Sequence, residues 1–332
     1  MAHLRPQRLL SVGSIVADVR IDVPHLPERG GDVLGLSAVV SAGGGFNILA
    51  AAARNGMPAC FAGRHGTGPY GARIRMDLAS EGIAALLAPD PDADSGFCVV
   101  LVEPDGERSF ITSPGVEAQL GERSLAGIGI ASGDAIFVSG YDLCYPELGA
   151  AIASFVACLP PDVLLAIDPG PLVGEIPQQI LQTMLLSAGI WTMNRREAEI
   201  FAGTPDIEQA VDLVLPRLSP DALLVLRDGA AGCLIAGQRV AGSPRRIPAP
   251  AVRMIDSTGA GDAHTGVLLA GLSGGLDPVS AARRANAAAA ISVTRPGPAT
   301  APTSKELDAF LAASQHDHVP QPGRPQQRGS ER

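Results

Sequence analysis

Asp256-Ser257-Thr258-Gly259-Ala260-Gly261-Asp262 lies between an apolar, β-branched approach (Ala251 to Ile255) and an apolar run from Ala263 to Leu272 that has the character of a helix. It reads as a turn that opens a helix. Gly259 and Gly261 carry no Cβ to hold a ligand off the backbone, and the first N–H groups of a helix point outward without partners, a setting that attracts anions. No Gly-Lys-Ser/Thr ending follows, so no lysine grips phosphates as in a P-loop. Asp262 stands there instead. A carboxylate beside an anion hole suits a base that takes a proton from an attacking hydroxyl, and the turn then reads as a phosphoryl-transfer site. In the alternative reading, Asp262 only complements the helix dipole after a Gly-rich connection without a ligand.

Working outward, Ser41-Ala42-Gly43-Gly44-Gly45-Phe46-Asn47 runs into an Ala-rich helix former closed by Gly56. Its glycines let a small polar molecule lie against the backbone, and Asn47 either caps the helix or bonds a hydroxyl. Leu9 to Asp18 is an apolar run ending in a carboxylate, the pattern of a buried strand whose end faces a ligand, so Asp18 is a substrate-binding candidate or a turn residue. Segments 19–40 and 95–113, the latter a hairpin around Asp105-Gly106, are expected to form a small β-lid. From Ala135 onward, apolar strands end in Ser139, Asp168, Asn194 and Arg227 and alternate with helical stretches. This predicts parallel strands with right-handed crossovers and a ligand site at their carboxyl ends.

With 332 residues, a net charge of -9 and a pI near 5.1, the chain has no basic footprint, which argues against nucleic acid as a partner. No stretch reaches the roughly eighteen apolar residues that span a bilayer, and no signal peptide is evident, so a cytoplasmic enzyme is expected. The five cysteines are dispersed and read as small core residues. The Pro-, Gln- and Arg-rich segment 315–332 is expected to be a disordered tail.

Gly43-Gly44-Gly45-Phe46-Asn47, Asn194-Arg195-Arg196-Glu197 and the Asp256–Asp262 turn occur in the order and spacing of the ribokinase (PfkB) sugar kinases, which the chain resembles over about residues 8–312. The resemblance implies an α/β, ribokinase-like fold with a central, mostly parallel sheet flanked by helices and a small β-sheet lid. It also implies transfer of the γ-phosphoryl group of ATP to a sugar hydroxyl. Asp262 would be the base, and the amides of Gly259, Ala260 and Gly261 the anion hole. Asp18, Gly43, Gly44 and Asn47 would bind the sugar. Asn194 and Glu197 would hold phosphates and the hydration shell of Mg²⁺, with the alternative that they cap a helix. Arg227, Gly229, Gly232 and Asn286 would border the nucleotide. Asp256 would ligate a monovalent cation such as K⁺, and a homodimer through the lid is expected.

The departures limit how far the substrate can be named. Val16 replaces a sugar-binding Asn of ribokinases, Gly170 and Leu172 replace the Asn and Arg of an Asp-x-Asn-x-Arg stretch, and Arg227-Asp228 replaces Thr-Leu. His264 replaces a frequent Phe and is expected to pack. Rival readings are a nucleoside kinase, a non-catalytic sugar or nucleotide sensor and, on weaker grounds, a Rossmann dehydrogenase, whose G-x-G-x-x-G spacing is missing here.

Overall fold

In the computed structural model, residues 5–316 are described. The strands among them are, in chain order, β1 (Arg8–Ser11), β2 (Ala17–Asp22), β3 (Ser37–Ala42), β4 (Ala59–Phe61), β5 (Ala84–Ala85), β6 (Phe97–Val102), β7 (Arg108–Ser113), β8 (Asp134–Ser139), β9 (Leu164–Asp168), β10 (Ile190–Asn194), β11 (Leu223–Arg227), β12 (Cys233–Ala236) and β13 (Arg245–Ile247). Nine of these form one sheet in the order β13-β12-β11-β10-β9-β8-β1-β4-β5, parallel except where β12 pairs antiparallel with β11 and β13. The other four form a lid sheet, β3-β2-β6-β7.

The large sheet is covered on both faces, which is why its strands are unbroken apolar runs such as Leu164-Leu165-Ala166-Ile167. Successive side chains enter opposite cores. Ile136, Leu165, Trp191 and Leu224 pack on one side, and Phe137, Leu164, Ile190 and Val225 pack on the other with Leu49 and Leu268 from the helices. Truncating any of these to Ala should cost about 2–5 kcal/mol. Each central strand ends in a polar residue, and the register pairs Ser139 with Asp168 and Asn194 with Arg227. The polar ends therefore share one edge.

The small sheet is drawn from residues 17–42 and 97–113. Strand β2 pairs in parallel with β6 and antiparallel with β3, and β6 and β7 form a hairpin whose turn places Gly106 at φ +88°. One boundary differs from expectation: helix Ser304–His316 continues through Gln315, where the tail was placed. Segment 317–332 lies outside the described residues. Among the described residues, no helix is long and apolar enough to cross a membrane.

Candidate active site

Helix Ala260–Ser273 begins after Gly259, which holds φ +71° as its N-cap. A Cβ there would lie 1.8 Å from the carbonyl oxygen of Pro298, so only glycine permits this turn. The Ala260 amide donates weakly to Ser257 O at 3.3 Å, while those of Gly259, Gly261 and Asp262 have no acceptor among the described residues. Of the three expected anion-hole amides, two are thus free and one is partly engaged, and Asp262 adds a further free N–H. They constitute a helix terminus able to hold an anion.

The second Gly-rich turn meets the first. Helix Gly45–Arg54 brings Asn47 against Asp262, with Asn47 Nδ2 donating to Asp262 Oδ2 at 2.9 Å. Asn47 is therefore no cap, and its Oδ1 is buried without a partner. Asp18, in β2, lies over Gly43 so closely that a Cβ there would stand 2.1 Å from its Oδ2. The Asp18 carboxylate has no hydrogen-bond partner among the described residues, and burial alone lifts it to about 6. Asp262 is also lifted to about 6, chiefly by burial; Asp168 and Asp18 push in the same direction, while Asn47 and Arg227 oppose them. At neutral pH it remains an ionised carboxylate with the basicity a proton acceptor needs.

Behind this pair lies Arg227, at the end of β11. Its Nη2 is 2.9 Å from Asp168 Oδ2 and 3.4 Å from Glu197 Oε2, and its Nη1 is 2.5 Å from where a Cβ on Gly261 would be. The guanidinium, buried to 11% side-chain exposure, is fixed against the anion-hole backbone. Burial acts to lower its pKa, but Asp168, Glu197 and Asp262 outweigh it and hold the charge in place. Gly229 and Gly232 shape the loop that follows, at φ +54° and +93°.

Asn194 and Glu197 form a capping box: Glu197 N donates to Asn194 Oδ1 at 2.9 Å, and Asn194 N and Nδ2 both donate to the Glu197 carboxylate at 2.7 Å. The helix-capping alternative is what the structure displays. Asn286, expected beside the nucleotide, is buried, with its Nδ2 donating to Ile247 O at 2.8 Å and its Oδ1 3.1 Å from His264 Nε2. Both amide ends are thus occupied by protein, and Asn286 shapes the loop rather than offering itself to a ligand. His264 packs as expected, and burial pushes it down to about 3, so it stays neutral.

Asp256 differs most from expectation. Arg108 Nη1 donates to its Oδ1 at 2.9 Å, Arg20 Nη1 to its Oδ2 at 3.3 Å, and the amides of Thr258 and Gly297 each donate at 2.9 Å. Arg108 also reaches Ser257 Oγ at 2.9 Å and bonds Thr258 Oγ1. Both carboxylate oxygens are taken, and a monovalent cation does not fit this donor set. The two arginines come from lid strands β2 and β7, so the lid sheet is latched to the Asp256–Asp262 turn. They were missed in the sequence, although Arg20 lies two residues beyond Asp18 and so shares its face of the strand.

Among the described residues, no group of three or more acidic, His or Cys side chains could cage a metal. Asn194 and Arg227 occupy both oxygens of Glu197, and Arg227 pairs with Asp168, so these carboxylates would hold a magnesium ion only through its water shell, never as direct ligands.

Residues 6–305 match the pfkB family of carbohydrate kinases. The chain belongs to that family. It is 35% identical over 314 residues, 91% of this chain and 93% of the other, to an uncharacterised sugar kinase, YegV, of Escherichia coli (strain K12). Solved structures share the fold: a ribokinase from Thermotoga maritima superposes with TM-score 0.78 at 22% identity, covering 92% of this chain and 99% of that one. The adenosine kinase from Sinorhizobium meliloti gives 0.77 at 20% identity, covering 94% and 99%. As a pfkB carbohydrate kinase, the protein is an ATP-dependent phosphotransferase with an alcohol acceptor.

Proposed function

We propose that this kinase transfers the γ-phosphoryl of ATP to a primary hydroxyl of a small carbohydrate, with Asp262 as general base. The observation that carries this reading is the meeting of Asn47 and Asp262 at 2.9 Å, beside the free amides of Gly259 and Gly261. Asp18, Gly43, Gly44 and Asn47 hold the acceptor hydroxyls. Asp262 takes the hydroxyl proton as the oxygen attacks, and the amides with Arg227 stabilise charge on the transferring phosphoryl. Arg227, Gly229, Gly232, Asn194 and Glu197 line the phosphate side. Glu197 would hold magnesium through water, and the ion would supply neutralising charge to the phosphates. The lid excludes water during transfer. Its use of ATP supports a cytoplasmic setting. Exposed Leu34, Leu36, Val39, Phe110 and Ile111 around the lid support a homodimer there, to be checked by sedimentation.

The test is ADP release with a panel of sugars and nucleosides, for the wild type and for Asp262→Asn. The variant should lose about 10²–10⁴ in kcat. A near wild-type rate removes Asp262 as the base. Turnover confined to nucleosides replaces the sugar reading with a nucleoside kinase, and ligand binding without ADP release points to a sensor.

A further inference from the structure

One aromatic side chain in the cleft has no role in the reading above. Tyr141 lies in the short helix Gly140–Leu143, directly after the polar end of β8. Its neighbours are fixed on both sides. Gly140 is pressed on the next strand's exit, with the place of a Cβ 1.8 Å from Pro169 O, and the Asp142 carboxylate accepts the Ser14 amide at 3.0 Å, four residues before Asp18. Between these anchors the Tyr141 ring lies 3.6 Å from where a Cβ on Gly170 would be, and it remains 51% exposed. Its hydroxyl has no hydrogen bond among the described residues. Gly170 in turn donates to Asp168 Oδ1 at 3.2 Å and Gly45 donates to Ser14 O at 3.2 Å, so Tyr141 is set between the carboxylate at the end of β9 and the Gly-rich turn that carries Asn47.

The groups of the proposed acceptor pocket have one chemistry. Asp18 and Asn47 Oδ1 are unpartnered and can only accept hydrogen bonds, and Asp262 keeps one oxygen free of Asn47. The cations nearby are already paired: Arg227 with Asp168 and Glu197, Arg20 and Arg108 with Asp256. Such a lining requires hydroxyl donors from its ligand and repels an anion. A half-open aromatic ring adds an apolar surface against which the C–H face of a sugar ring can lie.

We infer that Tyr141 is a specificity-determining residue of the acceptor pocket: its ring supports the apolar face of an uncharged sugar, its hydroxyl bonds one of the sugar's hydroxyls, and the acceptor-only lining around it rejects sugar acids. This rests on the kinase reading for the location of the acceptor. Because Tyr141 is half-exposed, its replacement should leave the core intact.

The experiment measures D-ribose, D-fructose, D-gluconate and adenosine twice over, by calorimetric binding in the presence of a non-hydrolysable ATP analogue and by ADP release with ATP. Wild type, Tyr141→Ala and Tyr141→Phe are compared. An uncharged sugar should bind, with gluconate at least tenfold weaker. Tyr141→Ala should raise the sugar's Kd and KM about tenfold while the KM for ATP stays within about twofold, and Tyr141→Phe should recover most of the loss because the ring is kept. An unchanged sugar KM in Tyr141→Ala, equal losses for sugar and ATP, preferred binding of gluconate, or no binding of an uncharged sugar overturns the inference. Sugar binding with the Tyr141 dependence but without ADP release leaves it standing and defeats the kinase reading instead.

Discussion

Asp256 and Asp262 bracket the same seven-residue turn, yet their surroundings are opposite. Asp256 faces the lid and receives two guanidinium groups and two backbone amides, and although burial alone would raise it, these partners, Thr258 and Gly297 first, hold it below the usual carboxylate range. Asp262 faces the cleft, has one partner in Asn47, and is lifted to about 6. Their contributions to folding have opposite signs. A depressed carboxylate stabilises the fold above its unfolded pKa and loses that contribution as pH falls through the folded value. A raised one favours folding only while protonated, so stability declines as pH rises from about 4 to about 6. The turn is thus anchored at one end and held under electrostatic cost at the other, which is where a reactive base belongs.

Arg227 is the firmest point at which this contrast can be broken. Replacing it by Met leaves Asp168 and Glu197 buried without a cation and removes a charge from the anion hole. We expect a loss of about 3–5 kcal/mol in stability and of about 10²-fold or more in kcat, read by thermal melting and ADP release. Arg108→Ala releases the lid side. It should lower kcat/KM roughly tenfold and raise ATP hydrolysis without acceptor, since the turn and lid no longer close together. Measured with Na⁺ in place of K⁺, the rate should change by no more than about twofold, because two guanidinium charges already neutralise Asp256. A strong K⁺ requirement would show that the latch opens and a cation takes its place.

Much of this was legible in the sequence, and each success has a local cause. The strand ends at Asp168, Asn194 and Arg227 could be read because buried parallel strands must be apolar throughout. The turn before helix Ala260–Ser273 could be read because its glycines mark a break in the chain ahead of an apolar helical run. Asn194 and Glu197 carried two readings in one i, i+3 spacing, and no local pattern distinguishes a capping box from a phosphate contact. The latch was beyond reach, since Arg20 and Arg108 meet Asp256 across 236 and 148 residues and only the lid's docking brings them there. Tyr141 lies in a four-residue helix without periodicity, and its place in the cleft depends on how Gly140 packs on Pro169.

The most direct test of the account is the pH dependence of kcat/KM for the phosphorylated acceptor. Asp262 must be ionised to accept the proton and Asp18 to hold the acceptor, and both are raised to about 6. The account predicts full activity above pH 7 and an acid limb centred near pH 6, with a log–log slope between one and two, while Asp262→Asn stays at its low rate throughout. A profile that remains flat from pH 7 down to pH 5 would contradict it.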